Sequence, residues 1–240
     1  METVLDKLEN IVYFPYRYIR NIVYPKKCVF CGRIVKENEW ICPVCETELE
    51  FIDKKKRCIK CGHPKDKCCC KKRVFYFEGL VSVFENRDLA QKGFYRYKFS
   101  RKMHYATYFA KVMGDAVKAE FCDIKFDYIC CVPQSIKSFL KRGFEHSNLL
   151  CQELSKVLEV PVMHDVLSCK DFARFQHKSS RKQRAKNVKN KYYTIGKVSG
   201  TVLLVDDITT TGLTLDACAR QLLYAGADKE IGRASCRERV

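Results

Sequence analysis

Residues 201–214, TVLLVDDITTTGLT, constrain the chain more than any other segment. The apolar run Val202, Leu203, Leu204 and Val205 reads as a buried strand, with two adjacent carboxylates, Asp206 and Asp207, at its end. Small hydroxyl residues and Gly212 follow, then an amphipathic helix carrying Leu215, Cys218, Leu222 and Leu223. Backbone N–H groups of a tight Thr/Gly loop at a helix N-terminus can cradle a phosphate, helped by the positive end of the helix dipole. Two carboxylates at a strand tip can accept hydrogen bonds from a ribose diol or hold a hydrated Mg²⁺. Together these parts suit a ribose 5-phosphate. The plainer alternative is a strand–turn–helix whose aspartates only cap the helix.

Cysteine usage sets the second constraint. Nine of the 16 cysteines fall between Cys28 and Cys70. The N-terminus carries Glu2, Asp6 and Glu9 without a small-residue cleavage site, and no apolar run approaches a membrane span. A cytoplasmic location is therefore expected, where clustered cysteines read as metal ligands rather than disulfides. Cys28-x2-Cys31 and Cys42-x2-Cys45 are two knuckles whose four thiolates suit one tetrahedral zinc ion. Cys58-x2-Cys61 opens a second set. Its other pair comes from Cys68, Cys69 and Cys70, with His63 as a competitor; Cys68 and Cys70 are favoured because alternate residues of an extended chain point to one side. One or two structural zinc ions are expected, supplying much of this region's folding free energy.

The formal net charge is +17, and lysines are threaded through the cysteine block. Such a balance favours polyanionic partners, nucleic acid among them, or is simply a solvated surface.

The chain divides by pattern into an N-terminal helix and arm (1–25), a double zinc ribbon (26–72) and an α/β region (74–230). In the last, strands at 81–84, 128–132 and 202–205 alternate with helices at 103–117, 148–158 and 215–224, the mark of a parallel sheet with helices on its faces. Residues 231–240, IGRASCRERV, break this pattern where another apolar strand is due. They look like one reading frame of a sequencing adapter, so the native C-terminal strand is expected to be missing.

Two further segments carry cations. After the strand at 128–132 come Pro133-Gln134-Ser135 and a basic run ending Arg142-Gly143-Phe144-Glu145-His146. Such a loop at the C-terminal edge of a parallel sheet can receive phosphate, or be a solvated turn. Arg174-x-Gln176, Arg181, Arg184 and Asn187-Val188 read as a mobile lid or a disordered basic loop.

In this order, the knuckles, the Val-Pro loop, Arg-Gly-Phe-x-His, the Arg-rich stretch and VLLVDDxxTTG resemble the ComF family over roughly residues 24–230. These are competence-associated, phosphoribosyltransferase-like proteins with an N-terminal zinc ribbon. The resemblance implies a type I phosphoribosyltransferase fold that binds phosphoribosyl pyrophosphate (PRPP), and a part in internalising single-stranded DNA, with proteins of the uptake machinery as partners. By position it implies that Asp206 and Asp207 hold the ribose hydroxyls and the Mg²⁺-bearing PRPP at the catalytic centre. Thr210, Thr211, Gly212 and Thr214 would line the 5-phosphate loop. Lys98, within Tyr-Lys-Phe, and the loop from Pro133 through Arg142 would face the pyrophosphate, and Arg181 and Arg184 would belong to the lid. The family usually has Asn where this chain has Glu145, an anion that would have to turn away from a phosphate. The other readings are a non-catalytic, PRPP-regulated DNA-binding module and a nucleobase-salvage phosphoribosyltransferase.

Overall fold

A computed structural model describes residues 22–237 of the chain, apart from Cys69, Lys72, Asn86, Arg101, Lys137, Ser138, Lys141, Arg142, residues 171–190 and Thr210. The chain divides into two compact units, Met1–Leu49 and Glu50–Val240.

In the first unit, Pro43 opens a short helix, α1 (Pro43–Glu48), where a missing N–H costs nothing. The first knuckle faces it: the Cys28 N–H donates to the Arg33 carbonyl, and the Gly32 N–H donates back to the Cys28 carbonyl.

The second unit is built around β6 (Thr201–Thr209), which pairs in parallel with β3 (Tyr128–Cys131) on one side and β7 (Lys229–Arg237) on the other. Two short strands, β1 (Leu80–Val81) and β2 (Phe84–Glu85), lie end to end along the far side of β7 and are also parallel to it. Both faces of β6 are covered, which is why Val202 through Val205 are all apolar and fully buried. Val202 and Leu204 pack with Leu215, Cys218 and Leu222 of α5 (Leu213–Tyr224). An antiparallel pair, β4 (Leu167–Cys169) and β5 (Tyr192–Thr194), joins that layer.

Leu203 and Val205 point the opposite way, toward the layer that holds α3 (Tyr105–Glu120) and α4 (His146–Leu158). These helices meet closely at Gly114, where a Cβ would lie 2.4 Å from Val157 Cγ1. A helix not expected from the sequence, α2 (Asp88–Phe99), completes the layer. Its Phe94 stacks on Phe109 of α3 at 4.2 Å between ring centres.

Three expectations change. The strand expected at 81–84 is broken at Ser82 and Val83 into β1 and β2. The buried strand of 202–205 continues through both aspartates to Thr209. Residues 231–237, read from the sequence as unable to form a strand, instead pair with β6 as part of β7. Leu203 is in register with Ile231 and Asp206 with Ala234. The slot between β6 and β1 is filled through backbone hydrogen bonds, which do not depend on an apolar side-chain pattern.

Candidate functional site

The aspartate pair is held from two helices. Lys98, in the last turn of α2, places its Nζ 2.8 Å from Asp207 Oδ2, and His146 Nε2, at the start of α4, contacts the same oxygen. Asp207 and His146 are buried. The Gln134 amide nitrogen lies 2.7 Å from His146 Nδ1. The same nitrogen lies 3.2 Å from His146 Nε2, so the amide sits against the imidazole as a whole rather than on one ring nitrogen. Tyr97 fixes the backbone beneath, its hydroxyl donating to the His146 carbonyl at 2.5 Å.

The two carboxyls are driven apart. Burial raises Asp207, but Lys98 and His146 outweigh it and hold this carboxyl well below the usual carboxylate range. Burial and the neighbouring Asp207 charge push Asp206 up to about 8, against the pull of Lys98 and the Asp207 N–H, which donates to Asp206 Oδ1 at 2.9 Å. Near neutral pH the pair therefore holds one anion, on Asp207, and one exchangeable proton, on Asp206. A carboxyl poised in this way can accept a hydroxyl, move a proton or bind a hard cation once ionised.

Beyond β6, Gly212 sits at φ +72° as the residue before α5, and its carbonyl accepts the Asp216 N–H at 2.9 Å. A Cβ there would meet Phe77 at 3.5 Å, an ordinary contact, so glycine is needed for the backbone rather than for space. Asp216, in the first turn of α5, accepts from Arg73 at 2.7 Å and from the Tyr76 N–H at 2.8 Å. Its charge is thus already matched.

Among the expected residues, Lys98, Asp206 and Asp207 come together; Pro133 directly precedes Gln134; Thr211, Gly212 and Thr214 follow β6 into α5. Arg142, Arg181, Arg184 and Thr210 lie outside the described residues. Glu145 is exposed, directly ahead of α4. Sequence reasoning did not single out Gln134, His146 or Tyr97 as site residues. The signal available for His146 was its place in the Arg-Gly-Phe-x-His run, just where a helical period begins.

The cysteines form two clusters, Cys28, Cys31, Cys42 and Cys45, then Cys58, Cys61, Cys68 and Cys70, the sulfur atoms of each lying within 4.8 Å of one another. Sulfur–sulfur separations are 3.6 Å for Cys31–Cys42 and 3.8 Å for Cys58–Cys70 and Cys61–Cys68. Four thiolates about 2.3 Å from a tetrahedral zinc ion are about 3.8 Å apart, so both donor sets fit structural zinc. Burial raises the Cys28 thiol, but N–H groups from Cys31, Cys42 and Phe30 outweigh it and bring it to about 7, which favours the thiolate a metal needs. The second knuckle repeats the first: the Cys58 N–H donates to the His63 carbonyl at 2.7 Å, as Cys28 does to Arg33. The second cluster packs into the sheet unit's core with Phe75, Phe77 and Leu80. Its entry segment is anchored by a buried ion pair between Arg57 and Glu120 of α3. Among the described residues, no helix is long and apolar enough to cross a membrane.

Residues 19–74 match a double zinc ribbon domain. The chain is 28% identical over 205 residues to a DNA utilization protein YhgH of Salmonella typhi, spanning 83% of this chain and 85% of that protein. It is 24% identical over 213 residues to a Competence protein F of Haemophilus influenzae, spanning 84% and 86%. Among solved structures, a glutamine PRPP amidotransferase from B. subtilis, complexed with ADP and GMP, aligns over 62% of this chain and 28% of that one, with 16% identity and a TM-score of 0.39. The chain thus carries a double zinc ribbon and is similar, over more than four-fifths of its length, to bacterial proteins named for DNA utilization and competence.

Proposed function

We propose that this protein binds PRPP with Mg²⁺ at the site formed by β6, the loop before α5 and the Lys98–Asp207–His146 constellation, and acts in the cytoplasm in DNA uptake. The observation that carries the sugar-phosphate reading is the buried Lys98–Asp207 pair beside a helix N-terminus opened by Gly212. Similarity to proteins named for DNA utilization and competence supports the biological role.

Each residue has a part in this reading. Asp207, already bound by two cationic or donor groups, orients Lys98 and His146. Asp206, partly exposed, has the free oxygen chemistry for a ribose hydroxyl or the cation. Backbone N–H groups of Thr211 and Gly212, with the Thr214 hydroxyl, receive the 5-phosphate, a role the resemblance extends to Thr210. Lys98 and the Pro133 loop face the pyrophosphate, and the family resemblance assigns Arg142 to the same anion and Arg181 and Arg184 to a substrate-covering segment. Magnesium, when bound, neutralises the diphosphate that leaves the anomeric carbon.

Calorimetric titration of Mg²⁺ and PRPP into the protein and into an Asp206→Asn/Asp207→Asn variant tests the reading. Saturable binding that the variant loses is the expected result. Absence of binding to the parent protein overturns it. The basic surface then becomes the leading feature, and a single-stranded DNA-binding module the leading reading. That second reading draws on the net charge of +17 and requires affinity that falls steeply with salt.

A further inference from the structure

The chain that leaves the second cysteine cluster runs straight to the start of α5. Cys70 is the last sulfur donor of that cluster, and three residues on, the Arg73 guanidinium donates to Asp216 Oδ2 at 2.7 Å. The Tyr76 N–H donates to the other oxygen of the same carboxylate at 2.8 Å. Both bonds fall on the first turn of α5, directly after Gly212. Between them the Phe75 ring lies 4.8 Å from the Arg73 guanidinium and stacks on Phe77 at 4.9 Å. Phe77 and Leu80 then flank Gly212, where an added methyl would meet them at 3.5 and 3.8 Å. The Leu80 N–H closes the circuit, donating at 2.9 Å to the carbonyl of Ile59, inside the Cys58-x2-Cys61 knuckle.

Residues 73–80 are thus tied to the cysteine cluster at both ends and to the start of α5 in the middle. A carboxylate held by a guanidinium and a backbone N–H is a charge-assisted, two-point clamp. Phe75 and Phe77 are buried, so the segment cannot swing away without exposing two aromatic rings. Metal binding is what orders a small thiolate cluster. Whatever orders this cluster therefore also orders the backbone at Gly212, and such coupling acts equally in both directions.

We infer that residues 73–80 are a strap that makes the second zinc site and the start of α5 one cooperative unit, with Arg73 as its positioning residue. Loss of zinc from Cys58, Cys61, Cys68 and Cys70 then loosens the loop at Gly212. The consequence for PRPP rests on the sugar-phosphate reading above; the coupling itself does not.

Two measurements on the full, zinc-loaded chain test it: the rate at which a chromophoric chelator strips zinc, and deuterium uptake by the peptide 212–218. In the parent protein, uptake should rise in step with loss of one of the two zinc ions and not the other. Arg73→Met, at a side chain about one-third exposed, should release that ion about tenfold faster, the worth of one charge-assisted hydrogen bond. It should also speed exchange of the Asp216 N–H, which bonds the Gly212 carbonyl. Arg73→Lys, which keeps the cation, should restore most of both. Asp216→Asn weakens the clamp from the helix side and carries the test if Arg73→Met does not fold. Uptake that ignores zinc loss, unchanged zinc release in the folded variants, or equal acceleration of both ions overturns the inference. Calorimetry with Mg²⁺ and PRPP separates the two readings. PRPP binding with zinc release and uptake unmoved removes only the strap. Coupled release and uptake without PRPP binding removes only the sugar-phosphate site. Where both hold, Arg73→Met should weaken PRPP about tenfold, and equal affinity in the two proteins would overturn the strap's role at Gly212.

Discussion

Lys98 and Asp207 form an ion pair at 2.8 Å in which neither side chain is more than about one-ninth exposed. A buried pair broken from one side leaves the other charge stranded, which typically costs 3–5 kcal/mol. His146 remains against Asp207, so Lys98→Met should cost on the order of 3 kcal/mol in urea unfolding. Adding Asp207→Asn should recover part of that loss, because the stranded anion is then gone. If the two changes simply add, Lys98 and Asp207 are not coupled.

The raised Asp206 carboxyl makes stability depend on pH. Folded Asp206 keeps its proton up to about 8, whereas an unfolded aspartate loses it near 4. Its contribution is therefore complete below pH 4 and is lost as pH rises toward 8, by at most about 1.4 kcal/mol per pH unit. Asp207, held low, acts in the opposite sense: its contribution is present above the unfolded carboxyl pKa and is lost as pH falls below it. Urea melts at pH 5, 6.5 and 8 should show Asp206→Asn gaining on the parent protein as pH rises. A constant difference across that range would sink the assignment.

If Asp206 holds the cation as proposed above, the same proton must leave. Affinity for Mg²⁺ and PRPP should then climb by up to about tenfold per pH unit between pH 6 and 8. Calorimetry in buffers of different ionisation enthalpy should detect the released proton.

Gly114 is a packing position rather than a turn. Alanine there would put its Cβ 2.4 Å from Val157 and force α3 from α4, at about 1–3 kcal/mol. Combining Gly114→Ala with Val157→Ala should cost less than the sum of the single changes, because the crowded methyl is removed. Additive losses in the double variant would show that the helices do not meet there.

Chelation should separate the two zinc sites. Metal analysis of the intact protein should find two zinc ions per chain. Cys61→Ser should lower the melting temperature of the sheet unit, since Cys61 is part of its core. Cys31→Ser, in the other compact unit, should leave that transition in place.

Patterns dictated by backbone geometry or ligand chemistry were legible in the sequence. The run 202–205 had to be a doubly covered strand, and the cysteine spacing had to converge on metal. Helix α2 escaped because its buried face, Ala90, Gly93, Phe94 and Tyr97, has the right period but two of its members are the smallest residues. Tyr95 and Phe99 then place aromatic surface on the exposed side, blurring the stripe. His146 was hidden by its neighbours: a cationic loop suggests solvent, and only the tertiary fold turns one imidazole inward to meet a carboxylate from β6. Strand β7 was unreadable because its place depends on partners rather than on its own composition. The adapter-like origin of residues 231–240 is a separate matter, settled by resequencing the locus; an in-frame genomic IGRASCRERV would refute it.

The position of β7 also governs how the chain must assemble. Leu80 finds its partner Gly232 across most of the sheet unit's sequence, and β7 separates β1 from β6. Until that segment docks, β1 and β6 each offer a bare strand edge to any neighbouring chain. Pairing of β7 is therefore a long-range closure, the kind that is slow and open to aggregation. Chains cut before residue 229 should accumulate as insoluble material even with both zinc sites filled, and intact chains should need time, cool conditions or a chaperone's shelter to reach the soluble state.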